Sequence, residues 1–433
     1  MNTTITRIHA RAIWDSRGRP TVEAEVELAG GAVGRASAPA GASRGAHEAI
    51  DLRDGGKHLA GMGVANAVAL ARAEVAPRLT GMDAADQAAI DAALCELDGT
   101  PNKARLGANA TVAVSLAVLH AAAAAAHEPT WRWLAQGRPV RLPLPEIQIF
   151  GGGAHAGRRT DVQDFMVMCP RAGTVARALE MTADVYRAAG ALMEEAGLLA
   201  GTADEGGWWP NFNSNEQALV FLTRAIERAG YRGGEDVFIS LDIAANELAE
   251  GDAYFLPLDN RAMTSAEMVD RVAQWARTYP LISIEDPVGQ DDMAGMARAT
   301  ALLGDEIQII GDDFLVTNAA RVERALAGGA CNAALIKVNQ IGTVSEAAAA
   351  LNAARDAGWA TIVSARSGET EDVSIAHLAV GWDAGQIKVG SFARSERMAK
   401  WNELLRIEEQ LGSAASYAGI DAFPAAVRDR LAR

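Results

Sequence analysis

Hydrophobic and polar positions alternate along the first forty residues. In Thr21-Val-Glu-Ala-Glu-Val-Glu-Leu28 the period is two, which predicts a strand with one wet face. Similar short runs between residues 5 and 37 predict an antiparallel meander. From about residue 57 to 136 the pattern becomes helical and includes the alanine-rich stretch Ala110 to Ala126. Arg138 to Pro145 reads as a linker. Beyond it, apolar runs alternate with helical segments to about residue 411, and the tail from Ala414 to Arg433 reads as a peripheral helix. The run Tyr279 to Ile284 is apolar on both faces, as strands of a buried parallel sheet are. The expected class is α/β: a small N-terminal α+β domain over residues 1–137, then a closed (β/α)8 barrel over residues 138–433.

The apolar runs end in charge. Val237-Phe-Ile-Ser-Leu-Asp242, Ser283-Ile-Glu285-Asp286 and Ile307-Gln-Ile-Ile-Gly-Asp312-Asp313 each deliver a carboxylate to a strand's end, where α/β proteins place binding and catalytic groups. Three such acids at one end repel unless a cation sits among them, and hard oxygen donors suit Mg²⁺. Two lysines follow in strand contexts, Lys337 in Ala334-Leu-Ile-Lys-Val and Lys388 in Gly385-Gln-Ile-Lys-Val. A buried lysine needs a partner, so an ion pair and a proton-transfer role are both open for each. Near a bound metal the Lys337 pKa is expected to fall.

Four loops complete the candidate chemistry. Pro39-Ala-Gly-Ala-Ser-Arg-Gly45 reads as a mobile surface turn rather than a ligand lid. Gly151-Gly-Gly-Ala-His155-Ala-Gly157 is a mobile histidine loop with Arg158 and Arg159 beside it. Thr202 to Asn211 sets Asp204 and Glu205 beside two tryptophans that look exposed. Ser364-Ala-Arg-Ser-Gly-Glu-Thr370 offers a guanidinium and hydroxyls suited to a phosphate.

Charge narrows the partners. The 433-residue chain carries a formal net charge of −15, which disfavours nucleic acid and anionic membrane and still permits an anionic substrate at a local cationic site. Cys95, Cys169 and Cys331 lie far apart, so no disulfide framework is expected and a reducing cytoplasm fits. The N-terminus has no apolar core of a secretory signal, and Ala110 to Ala126 reads as a buried helix rather than a membrane span.

The strings DSRGRPTVE, SIEDP, GDD, KVNQIGT, RSGETED, GQIK and RSER, taken together, make nearly the whole chain resemble enolase. The resemblance implies an enolase-type barrel, two Mg²⁺ ions, and a homodimer or higher homo-oligomer. It implies that Asp242, Glu285 and Asp312 hold one ion and Ser43 helps hold the second. Lys337 would abstract the proton beside the substrate carboxylate, Glu205 would assist the leaving hydroxyl, with Asp164 beside it, and Lys388 would hold the carboxylate. Arg366 and Ser367 would grip the phosphate under His155.

The departures from the family pattern cluster in the loops and around the leaving-group pocket. Enolases have histidine where this chain has Ala365, serine at Ala40, threonine at Arg44 and glutamate at Asp164. They have phenylalanine and alanine at Trp208 and Trp209, and asparagine at Phe150 and Arg158. These differences lead us to expect a divergent paralogue acting on a phosphorylated or phosphonate-bearing carboxylic acid, as a carboxyphosphonoenolpyruvate synthase does. Arg44 and Arg158 would grip a larger, nucleotide-activated anion, with Trp208 and Trp209 for stacking. A glycolytic enolase and a non-catalytic binding protein are the alternatives.

Overall fold

The computed structural model describes residues 2–251 and 253–433. Strands Ile5–Trp14, Pro20–Leu28 and Val33–Ser37 form the expected antiparallel meander, with Ala10 opposite Ala24 and Ala24 opposite Ala36. Helix Ala108–Ala125 lies on this sheet. Their closest approach is at Gly34, where a Cβ would stand 2.1 Å from the Ala117 carbonyl oxygen, so only glycine lets the helix settle there. By length and composition this helix could cross a bilayer, but 83% of it is buried inside the protein, which makes it a core helix.

The linker is shorter than the sequence implies, because the first barrel strand, Leu144–Gly151, begins inside it. The remaining barrel strands, second to eighth, are Asp164–Met168, Phe238–Asp242, Leu281–Glu285, Gln308–Gly311, Ala333–Ile336, Ala360–Ser364 and Gly385–Gly390. Each pairs with the next, and the eighth returns to pair with the first. The expected α/β class and the closed eight-stranded barrel are both present.

One strand departs from an all-parallel ring. The second pairs antiparallel with both the first and the third. Its physical cause is the connection: no crossover helix separates the first and second strands, and a direct return can only run antiparallel. Helices Val175–Glu195 and Asn215–Arg228 then intervene before the third strand restores the common direction. The inversion puts the start of the second strand, Asp164, at the end of the barrel where the other strands finish. There Asp164 stands opposite Asp242.

The tail is not peripheral. Phe423, Val427 and Leu431 are buried against Leu144, Met168, Phe238 and Ile282, so the C-terminal segment plugs the barrel at the end remote from the acids. A polar chain lies beneath them inside the barrel. Gln308 donates to Ser283 Oγ and Gln386 Oε1, both at 3.0 Å, and Gln386 donates to the Ala422 carbonyl at 2.8 Å. These buried amides are satisfied without water.

Candidate active site

The third, fourth and fifth strands bring Asp242, Glu285 and Asp312 to one end of the barrel, all buried. Two ammonium groups lie among them. Lys388 Nζ stands 2.8 Å from Asp242 Oδ2 and 2.8 Å from Glu285 Oε2, and Lys337 Nζ stands 2.5 Å from Asp312 Oδ2. Burial alone would lower both lysines. For Lys388 the opposing charges of Asp242 and Glu285 win and raise it well above its ordinary value; Lys337 is also raised, by the charge of Asp312. The protein's own groups thus move Lys337 opposite to the fall expected beside a metal. Burial, followed by the charge of Asp242, raises Glu285 well above the carboxylate range.

The wall opposite Lys337 is acidic. In a ring of eight, the second and sixth strands are diametrically opposed, which sets Asp164 across from the end of Ala333–Ile336. His155 Nδ1 lies 3.1 Å from Asp164 Oδ1, and its Nε2 lies 3.7 Å from Glu205 Oε1. Gln148 also donates to Asp164. Burial would lower the imidazole, but Asp164 and then Glu205 outweigh it and raise His155 to about 9. Against its own burial, Asp164 is held down at about 2 by the His155 charge. The histidine loop is therefore docked, not free: His155 is 6% exposed.

Arg366 and Ser367 line the same cavity together with Gly41, Ala42 and Ser43. Arg366 donates to both Glu48 carboxylate oxygens at 3.0 and 3.1 Å, and to the Ser43 carbonyl at 3.0 Å. A Cβ at Gly41 would lie 2.0 Å from the guanidinium. Glycine there lets the loop close on Arg366, so the segment read as a surface turn forms a wall of the site. Ser367 Oγ accepts from Arg17 at 3.0 Å.

Ala365 also lines the cavity, and its methyl offers neither donor nor proton. Other positions lie apart. Arg44 is exposed and lines no part of this cavity. Arg158 is bound to Glu247 at 2.7 Å and lines a neighbouring cavity of about 220 Å³ that shares Gln163 with the first. Trp208 and Trp209 are half-buried rather than exposed. Trp208 is stacked on Tyr186 with ring centroids 4.5 Å apart, and its indole N–H donates to the Tyr186 carbonyl. That stacking serves the barrel wall.

Two family models match the chain: the enolase N-terminal domain over residues 5–134, and the enolase C-terminal TIM barrel domain over residues 139–426. The chain belongs to the enolase family. Enolases carry out lyase chemistry, and in this family member Lys337, Lys388, Asp164 and Glu205 line one enclosed space.

Whether the residues fit a metal can be judged from the donors. Asp242, Glu285 and Asp312 are hard oxygen ligands, and Glu285 Oε1 is buried with no hydrogen-bond partner, an atom that a cation would satisfy. The set fits Mg²⁺, with Lys388 now bridging Asp242 and Glu285 and Lys337 paired with Asp312. The described residues that converge most closely are two other groups, His155–Asp164–Glu205 and Asp286–Asp312–Asp313. The second shares Asp312, and its Asp286 is committed as acceptor to the Asp312 and Asp313 backbone N–H groups at 3.0 and 2.7 Å. The enclosed space is about 20 Å³, too small in this arrangement for a phosphorylated acid.

Several site residues escape the sequence reading. Glu48 pairs with Arg366, Gln163 donates to Asp242 at 3.2 Å, and Gln340 donates to Asp312 at 2.7 Å. Glu146 lies wholly buried inside the barrel, where burial raises it to about 7. Its signal was present: Leu144-Pro-Glu146-Ile-Gln148-Ile alternates polar and apolar residues, and the polar ones face the barrel interior.

Proposed function

We propose that this enolase-family enzyme performs Mg²⁺-dependent enolate chemistry on a small phosphorylated or phosphonate-bearing carboxylic acid, as a secondary-metabolism paralogue of the carboxyphosphonoenolpyruvate synthase type. The observation that carries the reading is an intact set of lysines and acids beside one altered position. Lys337 and Lys388 stand among three strand-end acids, while Ala365, at the end of the seventh strand between those two lysine-bearing strands, puts a methyl where the family pattern has an imidazole.

Mg²⁺ held by Asp242, Glu285 and Asp312, with Ser43 assisting at a second ion, would supply the positive charge that an enolate beside a carboxylate needs. Lys337 takes the proton from the carbon next to the carboxylate, and Lys388 faces the carboxylate itself. Arg366 and Ser367 orient the phosphorus group. Glu205, when protonated, can give a proton to an oxygen departing on the opposite wall, and His155 and Asp164 fix the geometry there. With Ala365 in place, that assistance is weaker than the family pattern provides.

The side cavity that shares Gln163 gives room for an added substrate group. Its charged lining is Arg158 against Asp161, Glu247 and Glu250, with Phe255 as an aromatic surface. An uncharged, hydrogen-bonding portion suits this lining better than a second anion does. Arg44, exposed and unpaired among the described residues, is then the cation for any anionic extension.

The glycolytic alternative draws support from the same retained lysines and acids. The deciding assay is dehydration of 2-phosphoglycerate at saturating Mg²⁺, run beside an authentic enolase. Weak turnover together with activity on a phosphonate co-substrate, lost in Arg44→Ala, is the expected result. Turnover equal to the authentic enzyme would establish the glycolytic reading instead.

A further inference from the structure

A cavity of about 400 Å³ lies where the small domain meets the barrel, and it shares no lining residue with the catalytic space. One wall is a single face of helix Val344–Asp356, along which Ser345, Ala348 and Leu351 leave room before Asn352 and Arg355. The other walls come from the small domain's Asp86–Ala88 segment and Leu119, and from Trp133, Arg138 and Trp382.

Two features set this cleft apart from an ordinary seam between domains. The first is its guanidinium groups. Arg138 Nε donates to the Ala135 carbonyl at 3.0 Å and its Nη2 to the Leu134 carbonyl at 3.2 Å. Arg355 Nη2 donates to the Trp382 and Asp383 carbonyls, the latter at 3.1 Å. Backbone carbonyls thus hold both side chains in place, yet among the described residues neither makes an ion pair with a carboxylate. Of the described residues, Asp86 is the one acid in the lining, and Asp383, whose carbonyl Arg355 holds, has its carboxylate taken by Arg141 at 2.9 Å. Burial lowers Arg355 from its ordinary value, Asp383 opposes this, and Arg138 and Arg141 add to the lowering, with Asp356 a weak counterweight. Two guanidinium groups without a carboxylate partner among the described residues thus line one cavity on a protein of net charge −15.

The second feature is aromatic. Trp382 is nearly buried and Trp133 half-buried, and both contribute to the lining beside those cations. A flat ring gains from contact with indole, and guanidinium N–H groups not committed elsewhere recognise carboxylate or phosphate oxygens. The volume matches a ligand of that size.

We propose that this cleft binds a planar aromatic anion, its ring against Trp133 and Trp382 and its carboxylate or phosphate on Arg138 and Arg355. Such a ligand touches both domains, so its binding ties the small domain to the barrel at a place remote from the reacting groups.

The test is calorimetric titration of the full-length protein with AMP, CMP and anthranilate, and separately with inorganic phosphate and adenosine. At least one of the three aromatic anions is expected to bind, with phosphate and adenosine each much weaker. The double variant Arg138→Gln/Arg355→Gln should lose about tenfold or more in affinity. The single Arg138→Gln, at an exposed position where only helix-end carbonyls are lost, should show part of that loss. Lys388→Met, which alters the catalytic space, should leave binding unchanged. No binding by any of the three, equal binding by the Arg138→Gln/Arg355→Gln protein, or loss in Lys388→Met would overturn the proposal. Phosphate binding as well as AMP does would also overturn it, since that describes a simple anion site.

Discussion

Lys337 Nζ lies 2.5 Å from Asp312 Oδ2, across the barrel from the His155–Asp164–Glu205 group. If Lys337 is the base, Lys337→Ala should slow exchange of the substrate's α-proton with solvent deuterium by about 10²- to 10⁴-fold. Asp312 keeps its bond from Gln340, so the fold should survive, as circular dichroism would report. Exchange at the parent rate would assign the proton to another group.

Across the cavity, the tie between His155 and Asp164 sets a pH window. His155 is raised to about 9 from 6.5, so its contribution to stability is complete below pH 6.5 and disappears as pH rises through 9. Asp164 is lowered to about 2 from 3.8, so its contribution is complete above pH 3.8 and disappears as pH falls through 2. In Asp164→Asn the His155 ring should titrate well below its parent value, because burial then faces less opposition. NMR titration of the imidazole reads this directly, and an unmoved midpoint would show that Asp164 does not control the ring.

Acid should weaken the contact between the domains. His120, on the small domain's core helix, and His377, on barrel helix Ser374–Gly381, meet edge to face with ring centroids 6.2 Å apart. Burial and then the neighbouring His120 lower His377 to about 4, and Glu403 at 3.5 Å does not reverse this. Burial lowers His120 as well. A histidine depressed in the folded state stabilises above its unfolded pKa, and that stability is lost as pH falls from about 6.5 through 4. The loss is on the order of 3 kcal/mol for His377. Thermal melts of His377→Gln should show a flatter decline than the parent across that range; parallel curves would contradict the assignment.

Restoring the family residue is the sharpest test of the altered position. Ala365→His should increase dehydration of 2-phosphoglycerate, by a factor on the order of 10² if acid assistance is what is missing. Steady-state assay of parent and variant at saturating Mg²⁺ measures it. No gain in a folded variant would place the defect elsewhere, with the shortened Asp164 as the next candidate.

The strand-end acids were legible because each interrupts an apolar run at its last position, as Asp242 and Glu285 do. The family relationship was legible because its strings span both domains. Direction was not. Nothing in Gly151-Gly-Gly-Ala-His155 says that the chain returns antiparallel, since that depends on a helix being absent between two strands. Long-range pairing was hidden as well. Glu48 and Arg366 are 318 residues apart, and only the folded chain shows that the glycine loop closes on that guanidinium. The burial of Val427 and Leu431 in the barrel's far end is likewise a property of tertiary packing, because the tail's own pattern is that of any short amphipathic helix.

The ammonium groups among the strand-end acids have a consequence for the sequence of encounters during turnover. Asp242, Glu285 and Asp312 engage Lys337 and Lys388 within a small enclosed volume. A multiply charged anion arriving first would find both ammonium groups already occupied by carboxylates at short range, where little water screens the contacts. A divalent cation arriving first would take up those carboxylates and free both lysines to turn toward the newcomer. The enzyme should therefore show compulsory order, cation before acid. Calorimetric titration of 2-phosphoglycerate should give no binding heat in chelator and clear heat after Mg²⁺ is added, whereas equal affinity in both would mean that the two ligands enter independently.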